Sequence, residues 1–220
     1  THGYRSLPFL TFLAAAFLRA ARRVEVAEVV YGAFEAPDAQ GRTPIFDLTP
    51  FVSLLDWIAA TNEFIYTGNG GFLGRLLQSE GDRRHAASLR AASDALGDFS
   101  LAMMLCRPLQ VMTDAERLDR TLEAAAPDLT LWAKPFGLLA DRIQAEYSAR
   151  ALPAPTDTGN VQRSLEQQLA LVRWYLDHSQ IIQAMSLARE WLVTAVGWRL
   201  EHSFILGAEA RREVEWGISG

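Results

Sequence analysis

Two groups of residues have types and spacings that could do chemistry. The first is Thr1-His2-Gly3-Tyr4-Arg5-Ser6, which combines two aliphatic hydroxyls, a glycine, a histidine and an arginine just before an apolar run beginning at Leu7. That is the composition of a phosphate-binding turn at a helix N-terminus, where free backbone amides and the helix dipole favour an anion. On local chemistry it reads equally as a capped turn, with Ser6 closing the helix and Arg5 solvated. The second group is Arg173-Trp174-Tyr175-Leu176-Asp177-His178. An arginine and a histidine near a scissile phosphate can stabilise negative charge and move a proton, with no metal required. Five residues along a continuous helix place Arg173 and His178 about 140° apart, however, so the pair reads also as a surface arginine and a helix-ending histidine.

Other chemistries find little support. Cys106 is the one cysteine, and His2, His85, His178 and His202 show no metal-ligand spacing. No Gly-x-Ser-x-Gly elbow, Walker loop or dinucleotide fingerprint occurs, and neither a metal nor a bound cofactor is expected. His85 sits in a charged segment, and His202 follows Arg199 by three residues, closer than the five that separate His178 from Arg173. The six tryptophans fall among aliphatics and read as packing rather than base-stacking residues.

The elements that would position these groups follow from patterning. A buried helix is expected from Leu7, apolar around most of its circumference through Leu18, tolerating Pro8 in its first turn and with Arg22 and Arg23 suiting its C-terminal end. Val24 to Phe34 reads as a buried strand, Gly41 to Pro44 as a turn and Ile45 to Leu48 as a second strand. Thr49-Pro50 reads as an N-cap and first helical position, opening a helix to about Tyr66 with Phe51, Leu54, Leu55, Ile58 and Ile65 on one stripe. Thr67 to Gly71 reads as a hinge.

Beyond it only helices are expected, at about Gly71 to Leu77, Asp82 to Leu105, Asp114 to Ala125 and Phe136 to Ala151, with Pro108, Pro127 and Pro135 as punctuation. After a loop from Pro153 to Asn160, a helix from Val161 presents Leu165, Leu169, Val172 and Leu176. Another, from Ile181 to His202, presents Ile181, Met185, Ala188, Leu192 and Ala195. The architecture expected is thus an α/β part over residues 1–67 followed by an all-helical part over residues 68–220.

Half of the 220 residues are hydrophobic and 21% are charged, which excludes a disordered tail, and a single cysteine excludes a disulfide scaffold. The run from Leu7 to Leu18 is shorter than the roughly twenty residues a bilayer span takes. A cytoplasmic protein without a membrane partner is expected. Of the 21 basic residues all but Lys134 are arginine, and the net charge of -5 disfavours a broad nucleic-acid coat. Any nucleotide contact should be a local pocket of arginines and amides.

Three stretches carry a resemblance. Thr1-His2-Gly3 with Tyr4-Arg5-Ser6-Leu7-Pro8 resembles the Asp-x-Thr-His-Gly signature of a CRISPR-associated family. Thr43-Pro44-Ile45-Phe46-Asp47-Leu48-Thr49-Pro50 and Gln183-Ala184-Met185-Ser186-Leu187-Ala188-Arg189-Glu190-Trp191-Leu192 also look like that family's pattern. Its members join a Rossmann-like CARF domain, which senses cyclic oligoadenylate, to a helical HEPN domain that is often an endoribonuclease. The resemblance implies that Thr1 to Ser6 bind cyclic oligoadenylate, that Arg173 and His178 cleave an RNA substrate, and that the protein is a homodimer or higher homo-oligomer. The family's aspartate would lie before Thr1, and with it the first part of the sensor sheet. A binding module whose helical part is an adaptor without nuclease activity is the competing expectation.

Overall fold

The computed structural model describes residues 7–22, 24, 26–34, 36–201 and 208–219, so Thr1, His2, Gly3, Tyr4, Arg5, Ser6 and His202 lie outside the described residues. The chain divides into two compact units, Thr1–Ala59 and Ala60–Gly220. Most described residues are helical, and the strands among them are two short ones. No helix among the described residues is long and apolar enough to cross a membrane.

In the first unit, α1 (Leu7–Arg22) precedes β1 (Val30–Gly32) and β2 (Ile45–Asp47), followed by the start of α2 (Thr49–Thr67). The strands are antiparallel, pairing Val30 with Asp47, Tyr31 with Phe46 and Gly32 with Ile45. Asp38 organises the loop between them: its carboxylate accepts the amides of Gln40 and Arg42, both at 2.9 Å, and pairs with the Arg42 guanidinium at 2.7 Å. The Asp47 carboxylate accepts the Thr49 amide at 2.8 Å, while the Thr49 hydroxyl accepts the Val29 amide at 2.9 Å. Asp47 therefore takes the first amide of α2, and Thr49, expected as the N-cap, turns its hydroxyl back to Val29 instead. Arg19 ties α1 to α2 through an ion pair with Asp56 and a bond to the Val52 carbonyl.

Several expectations for this unit are corrected. The expected strand Val24 to Phe34 shrinks to Val30–Gly32, and it is not buried, Val30 and Tyr31 being exposed. Likewise α1 exposes Phe9, Leu10, Leu13, Phe17 and Leu18 instead of burying its circumference. A two-stranded ribbon of three-residue strands has too little surface to cover such a helix. On α2 the buried residues are Val52, Trp57, Ala60, Thr61, Phe64 and Ile65, whereas Phe51, Leu55 and Ile58 are exposed.

The second unit contains the end of α2, then α3 (Gly71–Arg84), α4 (Ala87–Met104), α5 (Pro108–Trp132), α6 (Lys134–Tyr147), α7 (Val161–Asp177), α8 (Ile181–Glu201) and α9 (Ala208–Ser219). Helix α4 lies between α3 and α5, α6 returns along α5, and α7 packs on α8. The core is filled by Phe64, Leu73, Leu77, Leu89, Leu96, Phe99, Met112, Leu118, Phe136, Tyr147 and Tyr175. The corner between α2 and α3 is buried. Gly68, at φ 74°, ends α2, and a Cβ there would lie 3.2 Å from Met103 Cε. The Gly70 amide donates to Ser100 Oγ at 2.8 Å.

Helix boundaries differ from the sequence reading for local reasons. His85, at φ 54°, ends α3, so the next helix starts at Ala87 rather than Asp82. Pro108 and Pro135 sit in first turns, where proline costs no hydrogen bond. Pro127 by contrast lies inside α5, on its exposed side, where water can serve the carbonyl it leaves unpaired. Buried Leu122, Ala125 and Leu129 hold the helix together across it. The apolar faces are also turned. On α7 the buried residues include Gln168, Leu171, Val172, Trp174 and Tyr175, with Leu176 exposed; on α8 they include Ala184, Leu187 and Val193, with Ile181, Met185 and Leu192 exposed.

Candidate active site at the end of α7

Trp174 organises the C-terminal end of α7. Its indole N–H donates to Glu146 Oε1 at 2.8 Å, and its ring lies edge-on to Tyr175 at 5.5 Å between centroids. Tyr147 stands 6.1 Å from the Trp174 ring and donates its hydroxyl to the Phe64 carbonyl at 2.7 Å. Phe64 and Phe99 complete the aromatic cluster, at 4.7 and 5.0 Å from the Tyr147 ring. Burial pushes the Tyr147 and Tyr175 hydroxyls far up from the usual phenol range, so both remain neutral donors.

Arg150, in the 3-10 turn Ser148–Arg150 after α6, closes the cluster. Its guanidinium lies 5.2 Å from the Tyr147 ring centroid and 5.6 Å from that of Trp174, and it pairs with Glu146 at 3.8 Å. Burial lowers its pKa and the Glu146 carboxylate opposes that shift, an arrangement in which a desolvated cation is held by one carboxylate and two ring faces.

His178 is the C-cap residue of α7. Its ring stacks on Trp174, 4.1 Å between centroids with 23° between planes, and Nδ1 lies 2.7 Å from the Trp174 carbonyl oxygen. A carbonyl can only accept, so Nδ1 carries the proton and the lone pair of the neutral ring falls on Nε2. That tautomer suits a general base. Arg173 is exposed on α7, and among the described residues no hydrogen bond or ion pair joins it to His178. The structure thus brings Trp174, His178, Glu146, Tyr147 and Arg150 together, with Arg173 outside the group.

Glu146, Tyr147 and Arg150 were not marked by sequence. They sit at a helix end between Phe136 and Pro153, where neither motif spacing nor hydrophobic period distinguishes them. Of the tryptophans, Trp57 and Trp174 are buried, Trp191 donates to the Leu165 carbonyl at 2.8 Å, and Trp216 is exposed. No group of three or more His, Cys, Asp or Glu side chains among the described residues could hold a metal ion.

Comparison with known proteins bears on the first part of this cluster. Residues 53–151 match a family model described as the second domain of CRISPR-associated protein MJ1674. The matched stretch takes in Phe64, Phe99, Glu146, Tyr147 and Arg150 and stops before α7. Over 93 residues the chain is 30% identical to CRISPR-associated protein MJ1674 of Methanocaldococcus jannaschii, an alignment covering 42% of this chain and 14% of that relative's length. The part of the chain that carries most of the helical core is therefore similar to a CRISPR-associated protein.

Proposed function

We propose that this chain belongs to a cyclic oligoadenylate-responsive accessory protein of type III CRISPR antiviral defence, acting as a ligand-activated, metal-independent endoribonuclease. On this reading residues 1–67 are the end of a CARF-like sensor and residues 68–220 a HEPN-like effector, and the protein is a cytoplasmic homodimer. The similarity of residues 53–151 to a CRISPR-associated protein supports the setting. The observation that carries the nuclease reading is the bond from His178 Nδ1 to the Trp174 carbonyl, which leaves Nε2 free to take a proton from a ribose 2'-hydroxyl.

Arg173 would neutralise charge on the scissile phosphate. Since it stands apart from His178 in this state, the activating ligand must favour a second state in which both reach one phosphate. Such a shift needs different ligand affinity for the two states. Thr1, His2, Gly3, Tyr4, Arg5 and Ser6 would supply the hydroxyls, amides and guanidinium that hold the phosphates of the ring. A repeating cyclic ligand suits an isologous site on a two-fold axis.

The second reading is a non-catalytic adaptor, favoured by the separation of Arg173 from His178 and by the part His178 takes in ending α7. Titration of the protein with cyclic tetra-adenylate and cyclic hexa-adenylate tests the reading common to both. Binding of either ring, weakened about tenfold or more by Arg5→Ala, is the expected result. Failure of both rings to bind would overturn it, and unchanged affinity in Arg5→Ala would remove the proposed ligand site.

A further inference from the structure

His178 depends on Trp174 in two separable ways. The bond from Nδ1 goes to the Trp174 backbone carbonyl at 2.7 Å, and that oxygen belongs to α7 whichever way the indole is turned. The stack, at 4.1 Å and 23°, belongs to the indole itself. A single hydrogen bond fixes Nδ1 but lets the imidazole pivot about it. The stack fixes the plane, and with the plane the direction in which Nε2 points.

The direction of Nε2 therefore rests on what holds the indole. Tyr175, edge-on at 5.5 Å, and Tyr147, at 6.1 Å, confine its plane. Torsion about the bond to an aromatic ring has roughly two wells, however, so packing that fixes the plane of an indole leaves it two ways round. The bond from the Trp174 N–H to Glu146 Oε1, at 2.8 Å, selects one of them. Trp174 is 5% exposed, so in the other well its N–H would leave this acceptor while buried. Glu146 is held in turn by Arg150, which lies 3.8 Å from Oε1 and also donates to the Glu146 backbone carbonyl. The Arg150 side chain is 14% exposed, so this grip is shielded from water.

We propose that Glu146 is a positioning residue for His178, acting through Trp174. It touches neither the imidazole nor an RNA, and it holds the indole in the well on which the imidazole lies. The catalytic consequence rests on the reading of His178 as the general base, whereas the placement of the imidazole does not.

Proton NMR of the His178 imidazole, assigned by comparison with His178→Ala and recorded at alkaline pH, tests the placement without RNA or cyclic oligoadenylate. Protons of an imidazole stacked on an indole are displaced upfield of those of exposed His85. Glu146→Gln and Glu146→Met remove the same charge and leave Arg150 in the same state, but only glutamine keeps an acceptor. In Glu146→Met the His178 signals should return toward those of His85, and in Glu146→Gln they should stay upfield. Should the unpaired Arg150 unfold both variants, Arg150→Met added to each preserves the comparison. In RNA cleavage activated by cyclic oligoadenylate, kcat of Glu146→Met should fall about tenfold or more below that of Glu146→Gln at similar KM. Like His178 signals in the two variants, or like kcat values where cleavage occurs, would overturn the proposal. Signals that separate as expected in a protein that cleaves no RNA would support the placement and overturn the nuclease reading alone.

Discussion

The ring of His178 lies on the indole of Trp174, 4.1 Å between centroids, while its Nδ1 bonds to the carbonyl of that same residue at 2.7 Å. One tryptophan thus sets both the plane and the tautomer of the histidine, and its own N–H is anchored by Glu146. Trp174→Phe removes that anchor and should cost about 1–3 kcal/mol, a charge-assisted bond. Trp174→Ala should cost about 3–5 kcal/mol by emptying the aromatic cluster. Denaturant unfolding of the two variants checks the order.

Tyr147 is the polar centre of the same cluster. Tyr147→Phe keeps the ring contacts and deletes the hydroxyl that serves the Phe64 carbonyl, so about 1–3 kcal/mol should be lost, with the aromatic packing preserved. A fall in the midpoint of urea unfolding at unchanged slope is the expected signature.

Two glycines should respond in opposite directions to alanine. At Gly68 the positive φ and the close approach of Met103 and Trp174 make Gly68→Ala destabilising by about 1–3 kcal/mol. Gly97 is helical and exposed, with open space where an alanine methyl would sit, so Gly97→Ala should stabilise by about 0.5–1 kcal/mol. Thermal melts of both variants provide the comparison.

Asp114 should give stability a dependence on pH. It is 5% exposed, Oδ2 has no partner, and burial raises its pKa against the bond that Gln110 donates to Oδ1 at 2.9 Å. A folded-state pKa above the unfolded value, about 3.9, means that the folded form holds the proton more tightly. The resulting stability is fully present below about pH 3.9 and is lost as pH rises through the raised folded value. Asp114→Asn removes the titration, so stability measured from pH 3 to 7 should fall less in the variant than in the parent.

Some of this was legible in the residues and some was not. The start of α1 at Leu7, β2 from Ile45, the start of α7 at Val161 and the start of α8 at Ile181 fall where the residues placed them. The buried faces of α7 and α8 were misplaced because Leu176, Ile181, Met185 and Leu192 are apolar yet exposed, while Gln168 and Ser164 are polar yet buried. Hydrophobicity alone cannot tell a core face from an uncovered apolar one. Pro127 misled in the opposite sense, since its cost was overridden by packing at Leu122, Ala125 and Leu129. At the candidate site, the sequence marked Arg173 and His178 only through the spacing that the family resemblance supplies. The stacking of His178 on Trp174, whose indole bonds to Glu146 near the end of α6, 28 residues earlier, left no periodic trace.

Ligand-dependent cleavage by His178 is the step on which the proposed function rests. Labelled single-stranded RNA incubated with the protein in excess chelator, with and without cyclic tetra- or hexa-adenylate, tests it most directly. Cleavage should occur only when one of the rings is present and should fall at least about a hundredfold in His178→Ala. Absence of ring-dependent cleavage, or cleavage that survives His178→Ala, would contradict it.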